Sequence, residues 1–319
     1  MEIKVQHLTR IFGSTKALDD VSFSFSSGDI FGFIGPNGAG KTTAIRIMAA
    51  LDLPSAGDVL YDGISAVYYP EKIRKKVGYM PDTLPDHKDV TVREYLDFCA
   101  RGFRLRGTER IKRLRYVEEF TGTGVIRSKF LHDLSKGMKQ RVSLARAIIH
   151  DPEVLIMDEP AAGLDPRARL ELRNMLKLLA GEGKAILLSS HILSELQDIC
   201  NGAVIIEQGK LLSAGTFKQM SETLVTASGV PEQKGNAAVT LVCRERCEEL
   251  EQLLQEHPAV SALEVHTNGK FRFVLKEWEK ELPSLMIRLF TEKFPITNFS
   301  KEEPGLEELF MRITTGKVQ

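Results

Sequence analysis

The chain has 319 residues, and its 43 Lys and Arg balance 43 Asp and Glu to a formal net charge of zero. That length predicts about two domains, and 43% apolar with 27% charged residues excludes a disordered or fibrous chain. Zero net charge argues against a dedicated nucleic-acid binder.

No apolar run approaches the ~18–20 residues that cross a bilayer. The opening MEIKVQHLTRIFG carries charges with no apolar stretch behind them, so the sequence reads as cytoplasmic. Its four cysteines do not make a disulfide framework. Cys243 and Cys247 are spaced to share one helix face, and no second Cys/His pair follows to complete a metal site.

In chain order, residues 1–218 alternate short β-like runs with helical stretches, which predicts an α/β domain with helices on a mainly parallel sheet. The most apolar strands are predicted at 30–34, 154–157, 185–188 and 203–206, and their lack of alternation fits burial on both faces. Between about 82 and 150 helical periodicity replaces the strand signal, as in 91–106 and 110–120, predicting a helical insert. A polar stretch at 219–236 reads as a linker. Residues 237–319 then predict a small α+β domain: a strand at 238–243, a helix at 245–257, a hairpin over 265–275 turning at Asn268-Gly269, and a helix near 282–293. An apolar-periodic segment at 306–313 closes the chain.

The strand at 30–34 runs straight into Gly35-Pro36-Asn37-Gly38-Ala39-Gly40-Lys41-Thr42 and a helix predicted at 43–51. This is the G-x-x-x-x-G-K-[ST] pattern in the setting that gives it meaning: buried strand, glycine loop, helix. The glycines let successive N–H groups turn inward on phosphate oxygens, and the helix N-terminus adds its field. Lys41 is placed to reach the β- and γ-phosphates and Thr42 to ligate Mg²⁺, and Thr43, opening the helix, is taken with them as ATP-binding. A second apolar strand ends in Asp158-Glu159. Paired acids there are expensive unless a cation or polar partner meets them; Asp158 suits the Mg²⁺ hydration shell and Glu159 the attacking water.

Leu134-Ser135-Lys136-Gly137-Met138-Lys139-Gln140-Arg141 opens another helix with Ser135 as a good N-cap. Together with the two strand-end motifs it resembles the signature of the ABC ATPases, in the Leu-Ser-Lys-Gly form of the exporter branch. The resemblance covers residues 1–218 and implies a P-loop NTPase core with a helical subdomain. It extends to Ala162-Gly163-Leu164-Asp165-Pro166, similar to the family's D-loop, and to Ser189-Ser190-His191, similar to its switch-histidine loop. Phe12 resembles the aromatic that stacks on adenine. Asp82 stands where the family usually has Gln, and is implied as a metal or water contact beside Thr42 and Asp158. The closing segment 303–310 is similar to the tail of exporter-type subunits.

The resemblance implies ATP and Mg²⁺ as cofactors, catalysis by Glu159 with His191 sensing the γ-phosphate, and a second subunit whose Ser135 and Gly137 close over ATP in trans. The second subunit is another copy or a paralogue, and a homodimer is favoured since this chain carries every motif. Transport, in the export direction, is expected to run through separate membrane permease subunits, holding the protein to the inner face of the membrane. The alternative is a soluble ABC ATPase acting on ribosomes or DNA, disfavoured by one motif set and no sustained heptads. Two readings stay open elsewhere. Residues 101–115, with seven basic residues and one acid (Glu109), read as a solvated helical face or as a stretch lying near anionic lipid headgroups. Residues 237–319 read as a dimer-stabilising appendage or a small regulatory ligand domain.

Overall fold

The computed structural model describes residues 1–84, 89–193, 196, 199–220, 237–266 and 269–301. The linker stretch from 221 to 236, Asn268 of the expected hairpin turn and the closing segment from 302 onward lie outside them. The chain divides into two compact units, one containing residues 1–220 and the other the stretch from 237 to 301.

The first unit is built on two sheets. One is antiparallel, with strands β1 (Glu2–Phe12), β2 (Thr15–Ser26), β4 (Ala56–Tyr61) and β5 (Ile64–Ser65) in the order β2-β1-β4-β5. The other holds β3 (Ile30–Ile34), β6 (Val77–Met80), β7 (Val154–Met157), β8 (Ala185–Ser190), β9 (Gly202–Glu207) and β10 (Lys210–Thr216), in the order β10-β9-β3-β8-β7-β6. All its pairs are parallel except the hairpin between β9 and β10. Strands β3, β7 and β8 are buried at every position, as unbroken apolar runs require when both faces are covered.

A single apolar cluster joins the sheets. Phe23 and Phe25 of β2, Phe31 and Phe33 of β3, and Ile45 and Met48 of helix α1 (Lys41–Met48) belong to it. Each such side chain contributes roughly 1.5–3 kcal/mol by leaving water. This core fixes the strand that feeds the glycine loop. Helix α1 starts at Lys41, two residues before the position expected from sequence, and ends at Met48.

Helix α2 (Pro70–Lys76) precedes β6, and the insert follows as α3 (Val92–Gly102), α4 (Gly107–Phe120), two short 3₁₀ turns and α5 (Lys136–Ile148). Thr91 starts α3 with a reciprocal cap: its hydroxyl accepts from the Glu94 amide, and the Glu94 carboxylate accepts from the Thr91 amide at 2.9 Å. Arg113 of α4 finishes α5 by donating to the carbonyls of Ile148 and Ile149 at 2.6 and 3.0 Å. Helix α5 lies close on β6, because Gly78 has no Cβ to strike the Ala147 carbonyl. Helix α6 (Pro166–Gly181) leads from β7 into β8.

The second unit runs β11 (Ala237–Cys243), α7 (Cys247–Glu256), β12 (Val260–His266), β13 (Lys270–Leu275), α8 (Trp278–Thr291), β14 (Ile296–Lys301). Its sheet is antiparallel in the order β12-β13-β11-β14, a split βαβ arrangement. Val239, Leu241, Phe271 and Phe273 pack with Leu250, Leu254, Leu285 and Leu289 of the helices. Two sequence expectations are corrected here. Cys243 ends a strand and Cys247 begins a helix, so the two do not share a helix face. The unit also has a fourth strand, β14, whose partly exposed residues lack the alternation that reveals strands.

Candidate active site

The cleft is assembled where β3 and β7 end. After β3, Gly40 takes φ 102 as the residue before α1, a conformation open to glycine, and a side chain there would also meet the Ala17 carbonyl. Lys41 is buried, and its ammonium donates to the carbonyls of Gly35 at 2.7 Å and Pro36 at 3.2 Å. It also stands 3.7 Å from a Glu159 carboxylate oxygen. The first amides of α1 have no partner within the helix, so the loop presents N–H groups and a cation together.

Strand β7 supplies the acids. Asp158 is 4% exposed, and its Oδ1 accepts from the Ser189 hydroxyl at 2.6 Å. That same hydroxyl accepts from the Glu159 amide at 2.9 Å. Ser189 is the penultimate residue of the neighbouring parallel strand β8, so a single side chain from β8 positions both acids that follow β7. The backbone of Glu159 is left-handed, φ 48, which a non-glycine residue holds only where its surroundings over-determine it. Here the bond to Ser189 and the Glu159 carbonyl, which accepts from the Ala162 amide at 3.1 Å, supply that restraint. His191 Nδ1 lies 3.0 Å from both Glu159 carboxylate oxygens.

Asn37, Gly38, Gly40, Lys41, Thr42, Thr43, Asp82, Asp158 and Glu159 line one open cleft of about 400 Å³. Burial, with the charges of Asp158 and Glu159, pushes the Asp82 carboxyl above its ordinary value, and the Lys136 ammonium partly offsets this. Gly35 and Ala39 are buried beneath the loop, and Pro36 is exposed on it. Phe12 is 49% exposed at the end of β1, with Arg10 stacked 4.5 Å from its ring centre. It pairs with Thr15, two residues before Ala17, which also lines the cleft.

The two residues expected to reach a second subunit's nucleotide lie outside this group. Ser135 is exposed at the start of α5, its hydroxyl accepting from the Met138 amide at 3.4 Å, and neither Ser135 nor Gly137 lines the cleft. Lys136 between them lies against Gly163. Asp165 caps α6 by accepting from the Ala168 amide at 2.9 Å. The role of Ser189 is the feature that sequence reasoning missed: Ser189-Ser190-His191 marks a loop, but its partners on β7 are set by strand pairing.

Comparison with known proteins decides the family. Residues 18–162 match the ABC transporter family model, and residues 232–314 match the C-terminal domain of DrrA1-3-like ATP-binding proteins. The bacitracin transport ATP-binding protein BcrA of Bacillus licheniformis is 31% identical over 98% of this chain and 97% of its own length. The chain belongs to the ATP-binding subunits of ABC transporters. As such an ABC ATPase it binds ATP and hydrolyses it to drive transport, working with membrane subunits. The Nod factor export ATP-binding protein I of Neorhizobium galegae is 29% identical over 98% of this ABC subunit and 85% of its own length. A solved ATP-binding subunit of an ABC transporter superposes with a TM-score of 0.64, at 31% identity over 70% of this chain and 93% of the other. Among the described residues no helix is long and apolar enough to cross a membrane.

Proposed function

We propose that two copies of this ABC subunit pair head to tail, each holding MgATP on its glycine loop and sealing the other's nucleotide with Ser135 and Gly137. The observation that carries this reading is the division of the motifs. Lys41, Thr42, Asp158 and Glu159 line one cleft, while Ser135 sits exposed outside it at the start of a separate helix. A helix N-terminus facing solvent suits a phosphate presented by a second molecule. The completeness of both halves in one chain supports a homodimer.

Within each site the chain's own groups divide the work. Lys41 exchanges its loop carbonyls for phosphate oxygens, and Phe12 stacks on the base. Glu159 accepts a proton from the attacking water, with His191 holding its carboxylate in place. Mg²⁺ fits the oxygens available: the buried Asp158 carboxylate, the exposed Thr42 hydroxyl and Asp82 border the same cleft. Few protein oxygens in an open cleft suit an ion that keeps several waters and takes substrate phosphates. When bound, it would neutralise charge developing on the phosphoryl oxygens. The export direction is supported by the relatives, named for bacitracin transport and Nod factor export. The subunit would then lie against the inner membrane face through its permease.

Replacing Glu159 by Gln tests the assignment. The expected variant binds ATP, loses turnover by at least about 100-fold, and accumulates as an ATP-bound dimer in gel filtration. Parental turnover in that variant would overturn the role of Glu159.

A further inference from the structure

We propose that the exposed face of α4 and the turn before it form a contact surface for anionic phospholipid headgroups. The seven basic residues between 101 and 115 separate into two groups in the structure. Three are tied into the fold: Arg101 and Arg110 pair with Asp97 at 2.8 and 3.2 Å, and Arg113 caps α5. The other four, Arg104, Arg106, Lys112 and Arg115, are exposed and have no side-chain partner among the described residues. Internal carboxylates do not neutralise them.

Apolar side chains stand among these cations. Ile111 is 56% exposed and lines an open cleft of about 380 Å³ with Lys112 and Arg115. An adjoining cleft of about 570 Å³ shares Ile111 and Arg115 and adds Arg93, Arg127 and Val125, the last 88% exposed. Glu118 and Glu119 line the same clefts and Glu109 shares the helix, so the four free cations exceed these three carboxylates by one, and Arg93 and Arg127 add to the positive side. Guanidinium groups fork onto phosphate oxygens, and an isoleucine between them gains by entering the headgroup–acyl boundary. A membrane surface offers phosphate oxygens and an apolar layer at once. The chain works with membrane subunits, so such a surface is at hand.

The test is co-sedimentation of the full chain with vesicles of phosphatidylcholine, alone or mixed with phosphatidylglycerol, at low and high salt. The parent is expected to bind the mixed vesicles, to release as salt rises, and to ignore pure phosphatidylcholine. The charge-reversed variant R104E/R106E/K112E/R115E should bind at least about tenfold more weakly, while R104K/R106K/R115K keeps binding. Both should retain basal ATPase, since these residues lie outside the cleft; if the fourfold variant loses it, the pairs R104E/R106E and K112E/R115E are measured the same way. Equal binding to both vesicle types, or unchanged binding after charge reversal, overturns the proposal. So does a parent that ignores vesicles while charge reversal weakens assembly with the membrane subunit, a result that would give the patch to a protein partner.

Discussion

The Ser189 hydroxyl donates to Asp158 Oδ1 at 2.6 Å, inside a site where both side chains are almost wholly buried. Because the same oxygen accepts the Glu159 amide, one serine on β8 aligns a carboxylate suited to metal and the backbone of the residue suited to water activation. Ser189→Ala removes the donor and leaves a buried carboxylate oxygen unsatisfied, at about 1–3 kcal/mol of stability. Turnover is expected to fall at least about tenfold with little change in ATP affinity. Thermal unfolding and steady-state kinetics of the one variant read both effects. Parental turnover would show that Ser189 does not position the acids.

The division of motifs between cleft and exposed helix gives a second test. Lys41→Ala and Ser135→Arg should each abolish ATPase as pure proteins. Mixed, they form some dimers in which an intact glycine loop faces an intact Ser135, so part of the activity returns, roughly a quarter for random pairing. If each chain completed its own site, mixing would restore nothing.

A third concerns pH. His150 follows α5, with its ring stacked on Phe103 at 3.7 Å between ring centres and its Nε2 3.1 Å from the Val77 carbonyl. Its Nδ1 is buried without a partner among the described residues. Burial lowers its pKa from 6.5 to about 4, outweighing the Val77 carbonyl, which favours the charged ring. The unfolded chain therefore takes up this proton near pH 6.5 and the folded chain only near 4. The stability this neutral ring provides is complete above pH 6.5 and drains away as pH falls through that window, about 2 kcal/mol by pH 5. Urea unfolding at pH 7 and pH 5 should show His150→Gln losing that much less than the parent. Equal losses would mean that His150 does not titrate in this range.

A fourth follows from the oxygens around Thr42 and Asp158. Removing divalent cations with EDTA should abolish hydrolysis while nucleotide still binds through the loop amides and Lys41, and added Mg²⁺ should restore turnover. Unchanged hydrolysis in EDTA would leave these oxygens without a metal to hold.

The glycine loop was readable because its meaning is local: an apolar strand, a turn that needs glycine, and a helix start lie in one unbroken stretch. The strand before Asp158 and the cap at Ser135 were readable for the same reason. Cys243 and Cys247 carried two incompatible readings, one helix face from their spacing and a strand ending at 243 from the apolar run, and the pairing of β11 upholds the second. Strand β14 escaped because its partly exposed residues alternate too weakly to betray a period of two. The seven basic residues of 101–115 read as one run, and only packing separated the three that brace the insert from the four that face outward.

By itself the sequence determined the chemistry on offer: a phosphate loop, strand-end acids, a capped signature helix and the α/β alternation that carries them. Each depends on neighbours along the chain. The tertiary structure decided which of these groups meet, because Asp158, Glu159, Ser189 and His191 stand at or just beyond the ends of adjacent strands whose parallel register no local pattern encodes. It also left Ser135 exposed and outside the cleft that its own chain's phosphate loop lines, at the start of α5 on the helical insert.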